Sequence, residues 1–316
     1  MRVLVTGAYG FVGNAVVRRL AEAGHDVIAM THREAGAPLP PAPVADTVHA
    51  DLLHPEQLRE AVRGVDAMCH LAALTRVRES FERPDDYAAT NHGGTEALLD
   101  ACEAEFVRTG FRPIRIVQAS TAAVYGVPEQ QPIDEQAPPR PTSPYGTTKL
   151  AADEALIRRT STGSVGAVIL RAFNISGAVA GVGDPDQTRI IPKALSVAAG
   201  QAPHVDINGD GSAVRDFVHV DDLARAYVLA LQACEPGTHA VYNVGATGAS
   251  VSDIVAATER VTGRTVSVVH NPPKPEPPTL LADTALVRRE LDWKPERSSL
   301  DEIIADAWTA VTAAGS

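Results

Sequence analysis

The feature that most constrains this chain is a glycine-rich turn, "TGAYGFVG", which places Gly7, Gly10 and Gly13 between "RVLV" and "NAVVRRLAEAG". The first flank is a β-branched run that reads as a buried strand, and the second has the apolar periodicity of a helix. In a strand–turn–helix unit each glycine has a separate task. Gly7 permits the tight turn, Gly10 lets backbone amides reach a diphosphate, and Gly13 lets the helix pack close to the strand. A glycine triplet alone is a weak signal, but the flanking strand and helix supply the context that makes it a nucleotide-binding turn.

The rest of the chain extends that unit. "HDVIAM", "DAMCHLAA", "IRIVQAS" and "VGAVILRAFN" read as further apolar strands, and "HPEQLREAVRG" and "GGTEALLDACEAEF" as helices between them. Strands alternating with crossover helices predict an α/β fold, a doubly wound parallel sheet covered on both faces. At 316 residues the chain exceeds one such core, so a smaller appended domain is expected. The proline-rich pieces "APLPPAP" and "PPKPEPP", and the long stretch before Tyr145, read as loops.

A formal net charge of -11 argues against nucleic acid or an anionic membrane as partner. "MRVLVTGAYG" lacks the plan of a signal peptide, and no apolar run has the length of a membrane helix. With three widely spaced cysteines, Cys69, Cys102 and Cys234, the expected setting is the cytoplasm, the thiols serving as small core residues rather than as a nucleophile.

"SPYGTTKL" sets Tyr145 and Lys149 four residues apart, on one face of the helix continued by "AADEALIRR". An ammonium one turn away favours the phenolate of a tyrosine, which then serves as general base for a hydroxyl near neutral pH. The plainer alternative is an ordinary helix start, with Tyr145 as a half-buried aromatic and Lys149 in solvent. Upstream, "QASTAAVYG" ends a strand with two hydroxyls, Ser120 and Thr121.

These segments, in this order, resemble the extended short-chain dehydrogenase/reductase family, and within it the NAD-dependent epimerase/dehydratases of the UDP-glucose 4-epimerase type. "ADLL" matches the pair, Asp51 and Leu52, that holds the adenine; "HLAAL" matches the loop Leu71, Ala72 and Ala73 beside the cofactor; "TNHGGT" supplies the cofactor-contacting Asn91. The resemblance adds Phe11 and Val12 of the glycine turn, and Phe173 beside the nicotinamide, while Lys149 also meets the nicotinamide ribose. It makes Tyr145, Lys149 and Thr121 catalytic, with Ser120 as second choice for the hydroxyl. Where dehydratases carry acids after this threonine, the chain has Ala122 and Ala123, which disfavours dehydration.

For the substrate, "LRAFNISG" maps a diphosphate-contacting asparagine onto Asn174, "DPDQTRIIPKAL" brings Arg189 and Ile190, and "RDFVHVDDLA" brings the phosphate-binding Arg215. Asp216, His219, Asp221 and Asp222 read as structural partners of the following helix, and no metal site is expected. The family's "R-R-x-G-D" is replaced by "PPKPEPP", with Pro273 at the arginine, Glu276 at the ribose acid and Lys274 nearby, and Asn208 stands at a base-stacking position.

The implied organisation is a Rossmann domain over residues 1–171 plus about 215–246, and a smaller, discontinuous substrate domain over about 172–214 and 247–316. The implied activity is a nucleotide-diphosphate-sugar 4-epimerase working by transient C4 oxidation with a bound nicotinamide, as a homodimer. The alternatives are an NAD(P)H-dependent reductase of a keto sugar or other ketone, and a non-catalytic NAD(P) sensor. The cofactor is NAD or NADP: Thr31, His32 and Arg33 replace the usual acid after the second strand, so Arg33 leans to NADP, whereas the whole-chain resemblance leans to NAD.

Overall fold

A computed structural model describes residues 1–32, 43–273 and 277–314. Arg33, Lys274 and Glu276 therefore lie outside the described residues. The chain divides into two compact units. The first comprises Met1–Pro128, Glu135–Arg171 and Ala224–Tyr242, and the second Glu129–Asp134, Ala172–Leu223 and Asn243–Ser316.

The first unit is built on β1 (Arg2–Thr6), β2 (Asp26–Thr31), β3 (Asp46–His49), β4 (Ala67–His70), β5 (Ile114–Thr121) and β6 (Val165–Ala172). With the strand His239–Val244 they form a seven-stranded sheet, ordered from that strand through β6, β5, β4, β1 and β2 to β3. Pairing is parallel from β5 through β4, β1 and β2 to β3. This is a Rossmann-like doubly wound sheet.

Successive residues of a strand point to opposite faces. Leu4 of β1 packs on one face with Ile28, Met68, Ile116 and Ile169, against Leu58, Leu98 and Leu156 from helices Pro55–Ala61, Gly94–Arg108 and Pro144–Thr160. Val3 and Val5, equally buried, point the other way, and helix Phe11–Glu22 buries Val16, Val17 and Leu20. Burial on both faces explains why β6, "VGAVILRA", is apolar nearly without interruption.

The second unit has its own core, in which Phe217 packs with Ile191, Leu195, Ile254 and Ile303. Its strand Val214–His219 pairs with Asn174–Ser176, Thr247–Ser250 and Thr279–Leu280. Residues 215–223, expected with the Rossmann domain, belong to this unit, because the backbone of Val214–His219 is paired here and not in the seven-stranded sheet. Asp222 accepts hydrogen bonds from the Glu296 and Arg297 amides and the Ser298 hydroxyl, and Asp216 from the Ala246 and Ala282 amides. Both acids are structural clamps. Among the described residues no helix is long and apolar enough to cross a membrane, and no His, Cys, Asp or Glu group has a metal-holding arrangement.

Candidate active site

The glycine turn sits at the carboxyl end of β1. Gly7 has φ +67°, and a Cβ there would lie 2.9 Å from the Ala72 nitrogen. A Cβ on Gly13 would lie 2.1 Å from the Gly7 carbonyl oxygen, so only glycine lets the helix start against the turn. At Gly10 the nearest atom is 3.2 Å away, and the residue is exposed. Helix Phe11–Glu22 begins at Gly10 with no side-chain cap and no acid in its first turn, which leaves N–H groups and the positive end of the helix dipole for an anion.

Neighbouring loops are tied to that turn by a buried chain of bonds. The Leu71 and Ala72 amides donate to Thr6 Oγ1 at 3.0 Å. Thr95 spends its one hydroxyl proton on the Asn91 carbonyl at 2.6 Å, so it must accept from His70 Nε2 at 3.0 Å. His70 Nδ1 then accepts from the Thr6 hydroxyl at 2.8 Å. Burial, with the nearby Lys149 charge, lowers the His70 pKa to about 3, and the ring is neutral.

Asn91 lies in a π-helical turn, Ala88–Gly93, an uncommon geometry often found at functional sites. Its side chain accepts from the Leu74 amide and donates to the Leu74 carbonyl and to Thr148 Oγ1, bracing the loop after β4 against helix Pro144–Thr160. Leu71, Ala72 and Ala73 are half-buried along that loop, and Phe11 and Val12 along the helix start. Thr31 ends β2 with 6% exposure, beside His49 in the register, and Leu52 is buried. His32, His49, Ala50, Asp51, His54 and Gln57 line a polar pocket of about 260 Å³.

Ser143 caps helix Pro144–Thr160 by accepting the Gly146 amide, and Pro144 fits the first turn, where its missing N–H is no loss. Tyr145 follows, half-buried, its ring edge-on to Tyr87 at 6.4 Å and 88°. One turn later Lys149 is 4% exposed. The placement of Lys149 in solvent is thereby overturned, whereas Tyr145 is half-buried as that alternative also expected. Burial lowers the Lys149 pKa, and Asp153 opposes that shift.

At the end of β5 the two hydroxyls diverge. Ser120 Oγ donates to Asp153 Oδ2 at 2.7 Å, whereas Thr121 Oγ1 accepts the Ala123 amide at 3.2 Å, which leaves the Thr121 proton as the one to offer a ligand. Asp153, 0% exposed, also receives Gln118 Nε2 at 3.1 Å and Arg171 Nε at 3.3 Å. Arg171 donates to the Tyr125 hydroxyl at 3.1 Å and stacks over that ring at 5.0 Å. Sequence reasoning missed Thr6, His70, Asp153 and Arg171. The signal for Asp153 was an acid at i+4 from Lys149, and for Arg171 the arginine of "LRAFN".

In the second unit Phe173 is 8% exposed, and Asn174, in a strand paired with Val214–His219, donates to the Asp216 carbonyl at 2.8 Å. Arg215 lies on that strand and donates to the Val214 carbonyl at 2.9 Å. Arg189 precedes helix Ile190–Ala198 and forms a 3.0 Å ion pair with Asp184, while Ile190 is half-buried at the helix start. The three cysteines are buried and unpaired, and burial raises their thiols, Cys102 to about 12 and Cys234 to about 11.

Relatives with this architecture are known. A UDP-glucose 4-epimerase of Streptomyces lividans is 37% identical over 97% of this chain and 95% of its own length, and one of Corynebacterium glutamicum is 36% identical over 100% and 97%. Among solved structures, the UDP-glucose 4-epimerase of Brucella ovis in complex with NAD superposes with a TM-score of 0.88 at 34% identity, covering 98% of this chain and 97% of that one. The model of the NAD dependent epimerase/dehydratase family matches residues 3–245, and to that family this chain belongs.

Proposed function

We propose that this protein is a UDP-sugar 4-epimerase that works with bound NAD and interconverts UDP-glucose and UDP-galactose or related UDP-sugars. The observation that carries the reading is the pair Tyr145 and Lys149, one helical turn apart, with the lysine buried rather than solvated. Support also comes from epimerase relatives that match essentially the whole chain, and from Ala122 and Ala123 where elimination chemistry would need acids.

The uncapped helix start and the open side of Gly10 fit the diphosphate of a dinucleotide. Gly7, Gly10, Gly13, Asp51, Ala72, Asn91 and Lys149 are the residues that would hold it. NAD bound there would supply a reversible acceptor for the C4 hydride. Tyr145, as phenolate, takes the proton of the C4 hydroxyl and returns it when the new stereochemistry is set. Thr121 donates to the same oxygen, and the Lys149 ammonium stabilises the phenolate. Within the second unit, Asn174 and Arg215 are the residues we assign to a diphosphate, Arg215 through a planar guanidinium suited to two oxygens. The working protein is a cytoplasmic homodimer.

The test is to give purified protein UDP-glucose without added cofactor and follow UDP-galactose. Its appearance supports the reading. Consumption of NADH or NADPH with a ketone, without interconversion, overturns it.

A further inference from the structure

Buried in the same unit as Lys149 are two charges that the chemistry above does not use, Asp153 and Arg171. Lys149 is 4%, Arg171 6% and Asp153 0% exposed, so two cations and one carboxylate are buried inside the first unit, with Arg171 in direct contact with the carboxylate at 3.3 Å. Isolated charges are not held in such surroundings: unless paired, a buried lysine gives up its proton. Asp153 stands one turn beyond Lys149 on the same helix, at i+4, where side chains meet. Its three hydrogen-bonded neighbours all donate: Gln118 to Oδ1, and Ser120 and Arg171 to Oδ2. Burial raises the Asp153 carboxyl above the usual carboxylate range, and these three donors, one of them a guanidinium, oppose that shift and favour the charged form. The other titratable groups around the pair are His70 of β4, Tyr87 of the short helix Pro84–Tyr87, and Tyr227 of helix Val220–Ala233. His70 is neutral, and burial raises both tyrosines. None supplies negative charge near neutral pH, so Asp153 is the counter-charge within the cluster.

We propose that Asp153 is a positioning residue for the reaction: it keeps the buried Lys149 protonated, and through that ammonium it keeps Tyr145 available as the phenolate base. The proposal rests on the catalytic reading of Tyr145 and Lys149. Ser120, Gln118 and Arg171 serve it by fixing the carboxylate rather than by touching the sugar. Arg171 in turn is oriented by Tyr125, so the arrangement spans β5, β6 and helix Pro144–Thr160.

The experiment is the pH profile of kcat for UDP-glucose conversion by the holoenzyme, compared among the parent protein, Asp153→Asn, Asp153→Glu and Tyr145→Phe. Without the carboxylate Lys149 loses its proton, the phenolate loses its partner, and the acid limb moves to higher pH. The expected displacement is about one unit or more, which is about tenfold in kcat at a fixed pH on the limb. KM stays unchanged, and Asp153→Glu returns the limb toward its original position. A loss of stability alone would lower the amount of active enzyme and leave the limb in place. An acid limb unmoved in Asp153→Asn overturns the proposal, as does one displaced to lower pH, which would mean that Lys149 stays charged without its partner. Should that variant not accumulate as folded protein, Asp153→Asn combined with Arg171→Met removes one buried charge of each sign and carries the same test. Activity surviving in Tyr145→Phe would instead sink the catalytic reading, whatever Asp153 does.

Discussion

The Ser120 hydroxyl is bound to the carboxylate of Asp153 at 2.7 Å, and this commits the proton of one of the two adjacent hydroxyls at the end of β5. Thr121 accepts a backbone amide instead, so the two residues play different parts although neither was separable by spacing alone. Thr121→Val removes the hydroxyl proposed to meet the substrate and should lower kcat by about a hundredfold or more, with the Tm close to the parent value. Ser120→Ala leaves the Thr121 hydroxyl in place and removes one donor from a buried carboxylate, which destabilises by about 1–3 kcal/mol. Steady-state kinetics and thermal unfolding on both variants check the assignment. The opposite pattern would exchange the two roles.

Tyr145 packs edge-on against Tyr87, and a phenylalanine keeps that contact while losing the hydroxyl. Tyr145→Phe should therefore fold normally and retain bound nicotinamide. Its turnover should fall by about a hundred- to ten-thousand-fold, the usual contribution of a positioned acid or base. Absorbance of the purified variant reports the cofactor, and UDP-galactose formation reports the chemistry. Turnover near the parent rate would contradict the proposed base.

The glycines of the turn predict two different failures. In Gly13→Ala the new methyl would meet the Gly7 carbonyl at 2.1 Å and Ala8 backbone atoms at 2.9 Å, so the helix itself must move. Overpacking usually destabilises by about 1–3 kcal/mol, and a clash with main chain belongs at or above the top of that range. In Gly10→Ala the tightest contact is 3.2 Å, so the fold survives and the methyl enters the space assigned to the diphosphate. Gly13→Ala should melt early, whereas Gly10→Ala should melt near the parent apo protein and lose its nicotinamide signal. A Gly13→Ala protein as stable as the parent would refute the packing argument.

The sheet was legible because burial on both faces writes itself as unbroken apolar runs, as in "RVLV" and "VGAVILRA". β3 was not, because "DTVH" at the sheet edge is short and largely exposed, with no apolar run to betray it. Tyr145 and Lys149 were readable from a four-residue spacing along one helix. The cluster around Asp153 was not, because Gln118, Ser120 and Arg171 reach that residue from two strands distant in sequence, and only folding brings them together. The same holds for His70, joined to Thr6 and Thr95 across 64 and 25 residues. Helix Val251–Thr262 is capped by Ser250, whose side chain closes a reciprocal capping box with that of Asp253.

His70 also makes the stability of the fold depend on pH. Its two ring nitrogens are both engaged, Nδ1 as acceptor from Thr6 and Nε2 as donor to Thr95, so a second proton would break the bond from Thr6 and place charge in a buried site. In the folded protein the ring therefore titrates at about 3, against 6.5 in an exposed histidine. As pH falls through 6.5 the unfolded chain takes up a proton that the folded chain refuses. The contribution is whole above 6.5, is lost progressively on the way down, and stops changing below about 3. His70→Gln removes that one proton from the balance while every other group, including buried His219, stays the same. Between those limits its stability should fall less steeply with acidification than the parent's, by up to about 1.4 kcal/mol per pH unit. Denaturant unfolding of both proteins over a pH series measures the two slopes directly. Parallel slopes would mean that His70 takes up its proton inside the fold as readily as in the unfolded chain, with Nδ1 turned from acceptor to donor towards Thr6.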